Sequence, residues 1–175
     1  MATFGAKYPA FKATGADAGV SIGKLVSANL TVNLASGELY ADDALAEQVS
    51  EFASGSIAME TDDMTDDVAS VVYGSTVINK ICTYNTGDTA PEGVLGYYKA
   101  LMRDGKKLYK GFVYTRCKAS LGNDNASTKG SSITFGTTST TFTVMPDSNG
   151  DWRKTQEFDT EAAAKTWIDT ECSIA

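Results

Sequence analysis

At 175 residues, 42% hydrophobic and 21% charged, the chain has the length of one domain and enough apolar surface for a packed core, which sets intrinsic disorder aside. It carries 22 acids against 15 bases, a net charge of −7, and so has no overall field with which to grip phosphates. Histidine is absent, which removes Ser-His-Asp and Cys-His catalysis and His-ligated zinc.

Strand signals dominate, in a domain spanning 1–175 with an N-terminal arm at about 1–20. Ile22 to Leu34 alternates imperfectly and predicts a strand, and Gly37 to Ala41 a short second one. Gln48 to Glu60 predicts a third, in which the apolar phase switches from even (Phe52) to odd positions (Ile57, Met59). The switch falls at Ser54-Gly55, where one extra residue would form a bulge. Thr65 to Tyr73 predicts a helix with acids in its first turn and Gly74 just past its end.

Val94 to Thr115 is the clearest local motif. Asp104-Gly105 is a two-residue hairpin turn, because both central positions need positive φ. It sets Leu101 opposite Leu108, Tyr97 opposite Phe112 and Leu95 opposite Tyr114. It also sets Lys99 opposite Lys110, an unfavourable like-charge pair, so that either the register differs or the two reach solvent or carboxylates. Gly122 to Ser132 predicts a loop. Ser131 to Met145 predicts a long Thr-rich strand that changes phase across Gly136 to Thr140. Thr160 to Thr170 predicts a helix, with Asp159 as its N-cap and Ala164, Trp167, Ile168 and Glu171 on its inner side.

Charge is segregated along the chain. No Lys or Arg occurs between Leu25 and Asn79, and residues 38–67 hold ten acids: Glu38, Asp42, Asp43, Glu47, Glu51, Glu60, Asp62, Asp63, Asp66 and Asp67. Residues 80–118 hold eight bases against three acids. For any single charge the ordinary reading is a solvated surface, but a sustained one-sign block can steer or reject a charged partner. Cys82, Cys117 and Cys172 are odd in number and widely spaced, which predicts small buried hydrophobes rather than a disulfide framework or zinc ribbon. No apolar run reaches membrane-spanning length and no signal-peptide pattern opens the sequence, so synthesis in a cytoplasm is expected.

Catalytic and metal motifs fail on inspection. Gly19-x-x-x-Gly23-Lys24-Leu25 is one residue short of a phosphate loop and has Leu where magnesium needs a hydroxyl. The run Asp62-Asp63-Met64-Thr65-Asp66-Asp67 lacks the Gly and Glu of a calcium loop and fits an acidic helix start better. No catalytic residue, cofactor site or metal site is expected.

An ordered set of short stretches resembles the major tail (tail tube) proteins of long-tailed, siphovirus-type bacteriophages and prophages. It begins with Phe4-Gly5-Ala6-Lys7-Tyr8-Pro9 and Gly37-Glu38-Leu39-Tyr40-Ala41-Asp42-Asp43-Ala44-Leu45-Ala46-Glu47. Glu51-Phe52-Ala53-Ser54-Gly55-Ser56-Ile57, Met59-Glu60-Thr61-Asp62-Asp63-Met64 and Gly96-Tyr97-Tyr98 follow. Ala126-Ser127-Thr128-Lys129-Gly130 with Ile133-Thr134-Phe135, then Asn149-Gly150-Asp151-Trp152 and Phe158 to Ile168, complete it.

The resemblance implies a β-sandwich or partly closed barrel of two packed antiparallel sheets with one or two short flanking helices. It implies a structural virion protein that is made in the bacterial host cytoplasm and assembled into the tail. Hexameric rings would stack head-to-tail into a hollow tube, with tape measure and tail terminator or tip proteins as further partners. Double-stranded DNA would pass through without specific binding. An acidic lumen would repel its phosphates, which makes Glu38, Asp42, Asp43, Glu47, Glu51, Glu60, Asp62 and Asp63 the expected lumen and ring-contact residues. Glu47 and Glu51 share a strand face, and Glu60 joins them if the strand bulges. Lys99 and Lys110 are the expected contact for acids of a neighbouring subunit. The alternatives are a tube of a related contractile injection or secretion system, and a small β-sandwich carbohydrate-binding module using Tyr97, Tyr98 and Tyr109 as a platform.

Overall fold

In the computed structural model, residues 2–41, 44–123, 128, 131 and 135–175 are described. The chain is mainly β, with two antiparallel sheets and two flanking helices, the class that the alternation predicts. In chain order the elements are β1 (Ala2–Ala13), β2 (Val20–Ser21), β3 (Leu25–Ala41), β4 (Ala44–Thr61), α1 (Asp66–Tyr73), β5 (Thr76–Ile78) and β6 (Ile81–Thr83). They continue with β7 (Glu92–Arg103), β8 (Lys106–Leu121), β9 (Thr138–Val144), β10 (Arg153–Phe158) and α2 (Glu161–Glu171). The large sheet runs β2-β1-β7-β8-β9-β4-β3, with β10 paired to β8 above the end of β9; β5 and β6 form a separate hairpin. The sheet curls until β1 approaches β3 without pairing to it.

Curling gives the sheet two apolar surfaces. The inner one packs Phe11, Ile57, Met59, Leu95, Tyr97, Phe112, Tyr114, Phe142 and Val144 against Val72 and Tyr73 of α1. The outer one packs Ala10, Tyr98 and Val113 against Ala164 and Ile168 of α2 and Cys172 at its C-terminal cap. Strands β7 and β8 are therefore covered on both sides, and their core stretches read as unbroken apolar runs rather than alternation.

The hairpin of β7 and β8 follows from its turn. Asp104 (φ 49°) and Gly105 (φ 76°) both take the left-handed conformation of a type I′ turn. Pairing is then Leu101–Leu108, Lys99–Lys110, Tyr97–Phe112 and Leu95–Tyr114, the register that the turn predicts. Helix α1 has the expected shape, with Thr65 capping Val68 N and Gly74 closing its C-terminus. Helix α2 is capped by Thr160, which accepts from Ala163 N; Asp159 instead pairs with Lys106 at 2.8 Å. Trp167 lies flat against Gly111, where any Cβ would sit 2.6 Å from the indole, so only glycine allows that approach.

Several elements differ from expectation. The strands expected at Ile22–Leu34 and Gly37–Ala41 are one strand, β3, because Gly37 stays extended opposite Val49. The strand expected from Ser131 is only Thr138–Val144: Phe135 is 89% exposed and precedes it, while Ile133, like most of the expected Gly122–Ser132 loop, lies outside the described residues. The expected N-terminal arm is mostly β1, hydrogen-bonded between β2 and β7. Its breakers Gly5 and Pro9 sit at register shifts between Phe4 and Ala6 and between Lys7 and Ala10, where a bulge tolerates them. Strand β10, exposed along most of its length, has no apolar alternation to announce it.

Gly111→Ala should push Trp167 off the sheet and lower the free energy of unfolding by about 1–3 kcal/mol. Denaturant melts followed by Trp fluorescence would measure this; an unchanged midpoint would show that the indole shifts freely.

Candidate assembly surface

Strands β3 and β4 are far longer than the body they belong to. Among the described residues β4 meets β9 only from Gly55 to Thr61, and β3 pairs with nothing but β4. The ribbon from about residue 32 to 54 thus projects from the sheet, by roughly 30 Å at the usual rise per residue. Both its outer edges carry unpaired backbone groups. Leu34 (60% exposed), Leu39 (58%), Tyr40 (64%), Leu45 (50%) and Val49 (54%) lie uncovered on it. A bare two-stranded ribbon is marginal in water, and open apolar edges invite pairing with another chain.

Register decides what each face of the ribbon carries. β4 has one residue more than β3 at Ala53, between the pairs Asn33–Ser54 and Leu34–Phe52. The bulge lies one residue from the expected Ser54-Gly55 step. Even positions from Gln48 to Phe52 and odd positions after the bulge share the core side, and a second shift between Leu39 and Tyr40 brings Leu45 to that side too: Phe52 stacks on Trp152 with ring centroids 4.2 Å apart, and Ile57 and Met59 are buried. The opposite face carries Glu47, Glu51 and Glu60, across from Leu39, Ala35 and Ser27. Between them stand Ser54, bonded to Asn33 at 3.2 Å, and Ser56 opposite Thr31. Glu38 is on the core-side face instead, accepting from Tyr40 Oη at 2.9 Å.

The other expected acids divide differently. Asp62 Oδ1 accepts from Lys24 N (2.6 Å) and Asp63 N, and Asp63 Oδ1 accepts from Met64 N. These two shape the turn into α1 and are not on the ribbon. Asp42 and Asp43 lie outside the described residues. Among the described residues no cation lies within ion-pair distance of Glu38, Glu47, Glu51 or Glu60, and no group of three or more Asp, Glu or Cys is placed to hold a metal ion.

The basic block is less bare than its sequence suggests. Arg103 grips both oxygens of Glu157 at 2.9 and 3.0 Å, and Lys110 reaches the same carboxylate at 3.6 Å. Arg116 grips Glu92. Lys99 lies 4.8 Å from the Phe112 ring centroid and has no carboxylate within ion-pair distance among the described residues. Lys110, expected to meet acids of a neighbouring copy, has a carboxylate within its own chain: Glu157 of β10 stands directly across from it. The tyrosine platform is also corrected, since Tyr97 and Tyr98 are buried on opposite faces and Tyr98 donates to Glu161 at 2.9 Å.

The buried thiols of Cys117 and Cys172 are pushed up to about 12, mainly by desolvation, and all three cysteines are free. No protein-family model matches the sequence, and no curated protein matches it.

Hydrogen bonds from Arg103, Arg116 and Lys7 hold the carboxyls of Glu157, Glu92 and Glu161 below their usual range. A depressed carboxyl stabilises the fold above its unfolded value, and that contribution is lost as pH falls through the folded value. Thermal midpoints should therefore drop between about pH 5 and pH 3. The Glu92→Gln, Glu157→Gln protein should show a shallower drop; an equal slope would remove these pairs from the account.

Proposed function

We propose that this chain is a self-assembling structural protein of the tail-tube kind, whose copies form stacked rings around a lumen that double-stranded DNA traverses. The observation that carries the reading is the ribbon face defined by the Ala53 bulge. It is exposed, rich in Ser, Thr and Asn, and bears Glu47, Glu51 and Glu60 with no cation paired to them among the described residues. Such a face suits a wet wall that rejects phosphate, because like charge across a narrow channel keeps a polyanion from adhering as it slides. The ribbon's uncovered apolar residues and open edges supply a reason to associate, which a monomeric binding module would not need. The ordered likeness to phage tail tube proteins agrees with both features.

In this reading the phage tail is the destination, and tape measure and terminator or tip proteins are the partners at the lumen and tube ends. Purified protein should form rings or tubes visible by negative-stain microscopy. Glu51→Lys together with Glu60→Lys should leave rings intact but make the tube retain DNA in a salt-sensitive way, measured by co-sedimentation. A protein that stays monomeric over a wide concentration range refutes the assembly; charge-reversed tubes that ignore DNA refute the lumen assignment.

A further inference from the structure

The large sheet forks where β9 ends. Beyond Val144, β10 takes the place beside β8 over Tyr109 to Tyr114, and the other edge of β10 pairs with nothing among the described residues. β4, over residues 44–54, likewise lacks a neighbour on the side that β9 occupies lower down. Between these edges the inner face of β7, β8 and β10 is basic. Lys99, Arg103, Lys110 and Arg153 all point to that face, as the pairs Lys99–Lys110, Lys110–Glu157 and Arg153–Tyr114 require. Among the described residues Glu157 is the one carboxylate within ion-pair distance of any of the four, reached by Arg103 and Lys110; Lys99 and Arg153 lie over the Phe112 and Trp152 rings, and Lys106 is matched by Asp159.

We infer that this forked, basic inner surface receives the acidic β3–β4 ribbon of a second copy of the chain. The inference rests on the reading of the protein as self-assembling. The ribbon is the complementary object: it has no Lys or Arg, its core-side face carries Glu38, and its strand edges, unpaired among the described residues, can meet the outer edge of β10. Its core-side face presents Glu38 and Tyr40 as a bonded carboxylate–phenol pair, flanked by Val32, Leu34 and Leu45. A carboxylate suits the ammonium of Lys99, the phenol ring suits a guanidinium, and the aliphatic side chains suit Leu108 and Trp152. The ribbon of the same chain leaves the body at this fork, with Phe52 on Trp152, and none of its described acids reaches these cations. The contact joins unlike patches, so identical copies can continue it into a ring or filament.

Zero-length carbodiimide coupling of assembled protein, made from equal amounts of unlabelled and 15N-labelled chains, tests this directly. Mixed-isotope cross-links should join Glu38 to Lys99 or Lys110. Glu38→Lys on one chain, and Lys99→Glu, Lys110→Glu on another, should each reduce assembly roughly tenfold, and mixing the two should restore it. Circular dichroism checks that each variant folds, and the cross-link readout needs no variant at all. Assembly with no mixed-isotope link between these groups, or with single reversals that assemble like the parent, overturns the docking site while leaving self-assembly standing. A parent that stays monomeric overturns both.

Discussion

At Ala53 the chain has one residue more than the strand it pairs with, and the surfaces of the ribbon follow from that excess. A strand alternates its faces with period two, so a single inserted residue exchanges them. Without the bulge, either Phe52 or the pair Ile57 and Met59 would face water. With it, all three join the core side, and Glu47, Glu51 and Glu60 are left together on the other face. The acidic wall is thus a consequence of packing requirements on the opposite side of the same strands.

The outer layer depends on a second arrangement, the clamp of α2 and β10 on β1, β7 and β8. Its apolar centre is Ile168 and Ala164 against Tyr98 and Val113, with Trp167 resting on Gly111. Around it run Lys7–Glu161, Lys154–Glu171 and the Tyr8 hydroxyl donating to Asp169 at 2.5 Å. Pairs this exposed add little stability singly, but they hold the helix in one register on the sheet. They also use up much of the basic block: Glu92, Glu157 and Asp159 meet Arg116, Arg103, Lys110 and Lys106 within the chain. The ribbon has no such internal match among the described residues, so the electrostatic asymmetry of the chain is concentrated there and at the fork that it leaves.

Legibility varied with how local each signal was. The Asp104-Gly105 hairpin was readable residue by residue, since a two-residue turn leaves only one register. The acids of the first turn and Gly74 marked α1 by dipole and C-cap logic, and the structure adds Thr65 as its N-cap. The bulge was readable to within one position because apolar phase cannot change otherwise. β1 and β10 were not readable. β1 contains Gly5 and Pro9, whose tolerance depends on bulges formed against β7, and β10 is a strand only because β8 offers it an edge.

The sequence by itself determined the β-rich class, the hairpin register, the two helices and the segregation of charge, all of which are set by neighbours a few residues apart. Only the tertiary structure decided that Asp62 and Asp63 serve a turn, that Glu157 answers Lys110, that Tyr97 and Tyr98 are buried, and that the ribbon stands free of the body. Each of these depends on contacts between strands far apart in the chain. In a sheet such contacts are chosen by which edges meet, and composition and periodicity do not encode that choice.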